Sequence, residues 1–179
     1  MIFKTTYESP IGIMTLASNG EALTGLWNEN QKYHGNGIYK KLIHNDNLDI
    51  FNNTKIWLGK YFEGKKPNLN ELMIATDGSE LRKLIWNILC EIPYGEVTTY
   101  GDIAKKVSIS MNREKMSSQA VGGAVGHNPI SIIIPCHRVV GSSGSLTGYA
   151  GGIEMKIKLL ELEGLNLKNF SIPKKGTAL

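Results

Sequence analysis

Ile130-Ser131-Ile132-Ile133-Ile134-Pro135-Cys136-His137-Arg138-Val139-Val140-Gly141 is the stretch around which the rest of the chain is arranged. A β-branched run such as Ile132-Ile133-Ile134 predicts a buried, extended segment. Pro135 fixes its own φ and removes a backbone donor, so regular pairing stops there. Cys136 follows, with His137 beside it and a cation at Arg138. A thiol is a useful nucleophile only as the thiolate, and a neighbouring imidazole or cation favours that form. A lone cysteine among isoleucines is ordinarily a small buried hydrophobe, and the Cys-His pair alone does not overturn that reading. Adjacent side chains on an extended segment point to opposite faces, so a Cys-His link needs a turn or a bridging water.

Upstream of this stretch the pattern is helical. Thr98-Thr99 precedes a predicted helix from Tyr100 to about Val107, a polar segment runs to Met116, and a second helix spans about Ser117 to Gly126. Two short helices joined by a turn suggest a helix-turn-helix. The second is rich in small residues, Ser117, Ser118, Ala120, Gly122, Gly123 and Ala124. Glycine weakens a helix, so its presence calls for close approach to another surface, a packed helix or a nucleic acid. Before these, Ser79 caps a helix whose apolar face is Leu81, Leu84, Ile85, Ile88 and Leu89, with Cys90 as core; Arg82 at the third position excludes a capping box. Ile92-Pro93-Tyr94-Gly95 ends it in a tight turn.

Residues 2–27 alternate as three antiparallel strands, with turns at Ser9-Pro10-Ile11-Gly12 and Ser18-Asn19-Gly20. A polar loop over 28–47 contains His34 and His44, for which no ligand set is evident. Leu48 to Phe62 reads as a helix, stopped by Gly64. Residues 65–78 read as a connection. Downstream, Gly141 to Ser145 and Gly148 to Gly152 are glycine-rich loops without the lysine pattern of a phosphate cradle. Ile153 to Glu163 is a helix, ended by Gly164, and the tail from residue 168 to 179 is expected to be flexible. The fold class is therefore α+β: a small N-terminal antiparallel sheet domain over 1–78, then a mainly helical domain over 79–167 holding the helix-turn-helix and Cys136.

Composition narrows the function classes. The 179 residues allow one large domain or two small ones. No apolar run is long enough to span a bilayer, and the N-terminus lacks a signal-peptide pattern, so a cytoplasmic or nucleoid-associated protein is expected. The two cysteines, Cys90 and Cys136, are too far apart for a ligand motif, so neither a disulfide framework nor a metal site is expected. Residues 80–179 hold twelve Lys/Arg against eight Asp/Glu and so carry the whole net charge of +4. The excess lies in the half that bears Cys136, a mild footprint for a polyanion.

Pro135-Cys136-His137-Arg138-Val139 resembles the active-site signature of the O6-alkylguanine-DNA alkyltransferases, the methylated-DNA–protein-cysteine methyltransferases. Ile92-Pro93-Tyr94-Gly95-Glu96-Val97, Tyr100-Gly101-Asp102-Ile103-Ala104, Ala120-Val121-Gly122-Gly123-Ala124, Asn128-Pro129, Gly148-Tyr149-Ala150-Gly151-Gly152 and Leu160-Glu161-Leu162-Glu163-Gly164 follow in the family's order. The resemblance is strong from Ser79 to Leu167 and looser from Tyr7 to Lys66. It implies DNA repair by direct reversal: one irreversible transfer of a methyl or alkyl group from O6-alkylguanine to Cys136, without a cofactor. O4-alkylthymine stays open as a second substrate.

The resemblance also implies roles. His137 deprotonates Cys136 through water, Glu163 orients His137, Asn128 shapes the turn by the site, and Tyr100 donates to the base. Val139 offers a carbonyl to the guanine amine, Tyr149 walls the pocket, and the Ala150 N–H donates to O6, a contact that survives the replacement of the family's frequent serine. The second helix, through Ser117, Ser118, Gln119, Ala120, Gly122 and Gly123, would enter the minor groove of double-stranded DNA, with the protein acting as a monomer. The family's intercalating arginine is Gln119 here, which loses the cation, and the turn between the two helices, with Arg113 and Lys115, is longer than in the best-known relatives. A lesion-binding module without transfer, a helix-turn-helix regulator and a cysteine hydrolase are the competing readings. The presence of Cys136 opposes the first; no sensor segment supports the second and no hydrolase motif the third.

Overall fold

The structure, a computed structural model, describes residues 1–37 and 41–173. The chain divides into two compact units: Met1–Asp77 with Pro129–Ile133, and Gly78–Asn128 with Ile134–Leu179. The chain thus leaves the second unit at Asn128, contributes Pro129–Ile133 to the first, and re-enters the second at Ile134.

In the first unit, strands β1 (Phe3–Ser9), β2 (Gly12–Ser18) and β3 (Leu23–Asn28) form the expected antiparallel meander, with Thr5 opposite Leu16 and Leu16 opposite Leu26. A short β4 (Ile43–His44), set in what reads as a polar loop, pairs parallel to β1 and gives the sheet the order β3-β2-β1-β4. Helix α1 (Asp49–Phe62) packs on β1 to β3. Phe51, Leu58 and Tyr61 on the helix are buried, as are Met14, Leu16, Leu26 and Trp27 on the strands. Gly64 stands just past it at φ +73°, the left-handed stop its position predicts. The expected connection over 65–78 is more ordered than its composition suggests. Asn68 and Glu71 form a capping box around a 3-10 turn, and Leu23 pairs with Met73 and Ala75 on the free side of β3. A second addition to that side comes from far along the chain: Leu26 donates to the Pro129 carbonyl at 2.9 Å and accepts from the Ser131 N–H at 2.9 Å.

In the second unit, α2 (Glu80–Cys90), α3 (Tyr100–Ser110) and α4 (Ser118–Gly126) pack mutually around Ile85, Leu89, Ile103, Val107, Val121 and Val125. The hydroxyls of Ser79, Thr99 and Ser117 each accept an N–H three residues on, capping the three helices. Trp86 Nε1 donates to the Ala124 carbonyl at 3.0 Å, fixing α4 on α2. Helices α3 and α4, joined by residues 111–117, form the helix-turn-helix. α3 runs to Ser110, beyond the expected Val107, and Asn112 at φ +49° closes it with hydrogen bonds back to its last turn. A parallel pair, β5 (Thr98–Thr99) and β6 (Val139–Val140), sets Val139 and Val140 beside the start of α3. Helix α5 (Ile153–Leu162) follows, with Glu163 as its C-cap and Gly164 at φ +85°.

The expected flexible tail begins at residue 168, but residues 168–171 are engaged. Leu146 donates to the Ser171 carbonyl at 2.9 Å, and Leu167 and Phe170 pack on Val140, Leu146 and Leu160. Apolar side chains at 167 and 170 drive this docking, a pattern too short to register as periodic. Residues 174–179 lie outside the described residues. Among the described residues no helix is long and apolar enough to cross a membrane.

Candidate active site

Ile132 to Ile134 are buried as their composition predicts, but they are not extended; only Ile130, just before them, makes a β-bridge, with Leu26. Ile133 N–H donates to Ser131 O at 2.8 Å, closing a three-residue turn with Ile132 at φ +71°. Positive φ at a β-branched residue is a genuine strain, and it persists only where the surroundings over-determine it. Here two backbone bonds to Leu26, and the Ser131 hydroxyl on Gln31 Oε1 at 2.9 Å, hold the flanking residues within the first unit. A second three-residue turn follows, Cys136 N–H to Ile134 O at 2.8 Å, with Pro135 at φ −82°, ψ 63°. Consecutive turns cannot present the alternating faces of a strand, which is why the run Ile132-Ile133-Ile134 misleads.

Cys136 to Arg138 then form one 3-10 turn, which supplies the bend that a Cys-His link needs. Cys136 is buried, and burial pushes its thiol up; hydrogen bonds from Asn128 oppose this, as do the Lys156 charge and the Cys136 and His137 peptide N–H groups. Asn128 Nδ2 lies 3.0 Å from Sγ and 2.7 Å from the Ile134 carbonyl. The same amide therefore fixes the turn and touches the sulfur. The donors converging on Sγ form a cradle for negative charge.

His137 is fully buried and its Nε2 lies 2.7 Å from Glu163 Oε1. Burial lowers the imidazole's pKa, outweighing the pull of Glu163 in the other direction. Glu163 is not a solvated helix end. Burial alone would raise its carboxyl, but hydrogen bonds from His137 and Arg138 hold it at about 2. Arg138 binds it through Nε at 2.9 Å and through its terminal nitrogen at 3.0 Å. The other terminal nitrogen donates to the Ile92 carbonyl at 2.6 Å, and the Gly95 N–H reaches Glu163 Oε2 at 3.1 Å. The cation beside Cys136 in sequence is thus committed to the carboxylate rather than to the thiol.

Tyr149 is buried, edge-on to His137 with ring centres 6.5 Å apart, and its hydroxyl has no hydrogen-bond partner among the described residues. Tyr100 donates to the Gly148 carbonyl at 2.9 Å. A Cβ on Gly148 would stand 2.3 Å from that hydroxyl, so only glycine fits here, where φ is +76°. Both phenols are pushed up by burial and by Cys136. Val139 is buried in β6 and its carbonyl accepts from Lys156; Ala150 is half-buried in the turn before α5. Asn128, Cys136, His137 and Glu163 are linked through these contacts, with Tyr149 and Tyr100 at their edge. Ser118, Gln119, Gly122 and Gly123 instead line a cavity of about 600 Å³, with Tyr100, Gly148, Gly141 and Ser142 opposite. Ser117 caps α4, and Ala120 is exposed on it. Cys90 is half-buried, its thiol raised by burial to about 11. Among the described residues no group of His, Cys, Asp or Glu could hold a metal, His34 and His44 included.

Lys156 escaped sequence reasoning. It lies on the face of α5 that carries Leu159, Leu160 and Glu163, three, four and seven residues on, and it is fully buried. That spacing was the available signal: a lysine in register with an apolar stripe.

Comparison with known proteins agrees with this geometry. Residues 2–76 match the profile of the 6-O-methylguanine DNA methyltransferase ribonuclease-like domain, and residues 80–165 that of the DNA binding domain of the same family. A methylated-DNA–protein-cysteine methyltransferase of Haemophilus influenzae is 40% identical over 162 residues, spanning 90% of this chain and 86% of the relative. One of Methanosarcina acetivorans is 40% identical over 168 residues, 91% of this chain and 99% of the relative. The crystal structure of Mycobacterium tuberculosis OGT in complex with DNA superimposes with a TM-score of 0.78 at 38% identity, covering 90% of this chain and 92% of that one. A buried Cys-His-Glu constellation on a helix-turn-helix unit, matched by profiles over both units, places this chain in the 6-O-methylguanine DNA methyltransferase family.

Proposed function

We propose that this protein repairs DNA by moving a methyl or other alkyl group from guanine O6 onto Cys136, once per molecule. The observation that carries the assignment is the donor cradle around Cys136 Sγ, set beside the His137–Glu163 pair. In the reaction the sulfur lone pair forms an S–C bond and the C–O6 bond breaks. Its electrons leave with guanine, which takes up a proton. His137 accepts the thiol proton, and Glu163, held anionic by Arg138, stabilises the imidazolium. Asn128 keeps Sγ in place, and the Val139 carbonyl and Ala150 N–H read the base. The product is a thioether that mild hydrolysis does not reverse.

The target atom is stacked inside a duplex, so the nucleotide must be flipped out. The α4 glycines support a DNA-facing helix. A Cβ on Gly123 would meet nothing within 4 Å, and one on Gly122 would make only ordinary contact with Tyr100 at 3.9 Å. Packing within the protein therefore does not require either glycine, whereas close approach of a duplex does. In this reading α4 lies in the minor groove, Ser117, Ser118 and Ala120 approach the backbone, and Gln119 fills the space the base vacates. Without a cation at that position, duplex affinity falls below that of a chain with arginine there. The protein acts as a monomer in the cytoplasm or on the nucleoid, the first unit serving as scaffold and the second carrying DNA binding and transfer.

Intact mass after incubation with a duplex containing O6-methylguanine tests this. The expected result is a gain of one methyl group per molecule, mapped to Cys136 and absent from Cys136→Ser. Tight lesion binding with no mass change would replace transfer by recognition.

A further inference from the structure

Both oxygens of the Glu163 carboxylate carry two donors. Oε1 accepts from His137 Nε2 at 2.7 Å and from Arg138 at 3.0 Å; Oε2 accepts from Arg138 Nε at 2.9 Å and from the Gly95 N–H at 3.1 Å. Such a group cannot turn without breaking a bond, so whatever fixes the other donors fixes its grip on His137. Two of those donors are Arg138's. The third belongs to the turn after α2, and that turn holds Arg138 as well. Its Ile92 carbonyl accepts from the guanidinium at 2.6 Å. The Glu96 N–H closes the turn on the Pro93 carbonyl at 3.2 Å, with Gly95 at φ +80°. A Cβ at 95 would stand 3.0 Å from the Glu163 carbonyl oxygen, so glycine lets this backbone come close. Tyr94, between Ile92 and Gly95, adds two contacts of its own. Its hydroxyl donates at 3.1 Å to the carbonyl of Leu162, the last residue of α5, where helical carbonyls lack intrahelical partners. Its ring lies over the Arg138 guanidinium, 5.7 Å from carbon to ring centre. Filling space needs no hydroxyl, and an aromatic face attracts a cation where an aliphatic chain does not.

We infer that Tyr94 is a positioning residue for alkyl transfer: its ring, anchored by its hydroxyl to the end of α5, keeps the Arg138 guanidinium on Glu163 and so keeps Glu163 aligned on His137. It acts through these side chains and not on the reacting atoms. The Glu163 side chain is fully buried and that of Arg138 is 11% exposed, so the ion pair works in a poorly solvated setting with Tyr94, itself half-buried, over its cation. Without the ring the guanidinium is hydrated and freer to swing, water screens its charge, and the carboxylate keeps fewer donors. An anion out of line then stabilises less of the imidazolium that forms when His137 takes the thiol proton. The charged and titratable groups facing this cluster are His137 and Arg138 on the 3-10 turn, Glu163 after α5, Tyr94 in the turn and Cys90 at the end of α2, with Lys156 and Tyr149 on the His137 side. Burial keeps the Tyr94 phenol and the Cys90 thiol protonated through neutrality, so neither competes for Arg138 as an anion.

The inference rests on His137 being the base for Cys136, and the experiment keeps the two separable by needing no DNA. Alignment is read by NMR, as the exchange with water of the His137 Nε2–H and Arg138 Nε–H protons. Its consequence is read as the rate of Cys136 alkylation by iodoacetamide, mapped by mass with Cys136→Ser as blank. Position 94 carries in turn phenylalanine, a trifluorinated phenylalanine of nearly the same shape whose ring face is drained of negative charge, and leucine. Exchange of the two side-chain protons is expected to quicken about threefold in Tyr94→Phe and about tenfold with the fluorinated ring or in Tyr94→Leu, while the amides of α2 stay at wild-type rates. Alkylation of Cys136 at neutral pH is expected to slow in the same order, by about tenfold in Tyr94→Leu, and to recover in alkali, where the thiol ionises without help. Equal exchange with the two phenylalanine rings would reduce Tyr94 to packing and overturn the inference, and this pair decides should the leucine variant not fold. Alkylation of folded Tyr94→Leu at the wild-type rate overturns it equally. Glu163→Gln alkylated as fast as wild type would instead defeat the base reading, and the role of Tyr94 with it, whatever the proton exchange shows.

Discussion

Asn128 carries more than its side chain suggests, because its amide is shared between a carbonyl that shapes a turn and the sulfur that reacts. Asn128→Ala removes one of the two donors to the buried Ile134 carbonyl, the Cys136 N–H being the other, a loss of about 1 kcal/mol in stability. It also frees Sγ to move, so transfer slows more than stability alone accounts for; denaturant melts and single-turnover rates on one sample separate the two effects. At Glu163 the consequence is acid lability. Its folded carboxyl titrates at about 2 against a normal 4.5, so its contribution is complete above 4.5 and is lost as pH falls through the folded value. The full shift corresponds to about 3 kcal/mol. His137, whose pKa is lowered from 6.5, acts in the same direction, since the unfolded imidazole takes up a proton first as pH falls below that value. Urea melts across this range should show stability declining into acid, with Glu163→Gln flattening the lower part. At this scale the sequence exposed Cys136, His137, Asn128 and Glu163 through their motifs. It hid Lys156, because a single lysine on an apolar face has no motif, and it mis-stated Arg138, because adjacency in sequence does not say where a long side chain ends.

Helix α4 is where an element's composition works against its own stability. Gly122 and Gly123 sit within a nine-residue helix that Ser117 caps and Trp86 anchors, and neither is demanded by the protein's packing. Gly123→Ala is therefore expected to stabilise the free protein, by up to about 1 kcal/mol, and at the same time to weaken duplex binding. Thermal melts and fluorescence anisotropy with a labelled duplex check the two signs; unchanged binding would turn this face away from DNA. The helices themselves were legible from apolar spacing and from their Ser79, Thr99 and Ser117 caps. The segment Ile132–Ile134 was not. An unbroken β-branched run has no period, and whether it forms a strand or consecutive turns depends on partners far away in sequence.

Those partners belong to the scale of the whole molecule. Ser131 meets Gln31 across 100 residues of chain, and no local pattern announces such a pairing. The division near residue 78 could be read from composition and order of elements, but not the excursion of Pro129–Ile133 into the first unit. Gln31→Ala removes the acceptor of the Ser131 hydroxyl and is expected to cost about 1 kcal/mol of stability. If the strained Ile132 turn is what holds Pro135 and Cys136 in register, it also slows transfer, though residue 31 is far from the chemistry in sequence; single-turnover rates measured well below the melting midpoint decide this. The excursion has a mechanical corollary. The chain passes between the two parts of this protein three times rather than once. A protease cut between Asp77 and Gly78 would leave the Pro129–Ile133 hydrogen bonds on one fragment and their Leu26 and Gln31 partners on the other. The nicked chain should then travel as a single species through a sizing column and come apart only in denaturant, as a garment holds along its seam after the thread has been cut at one point.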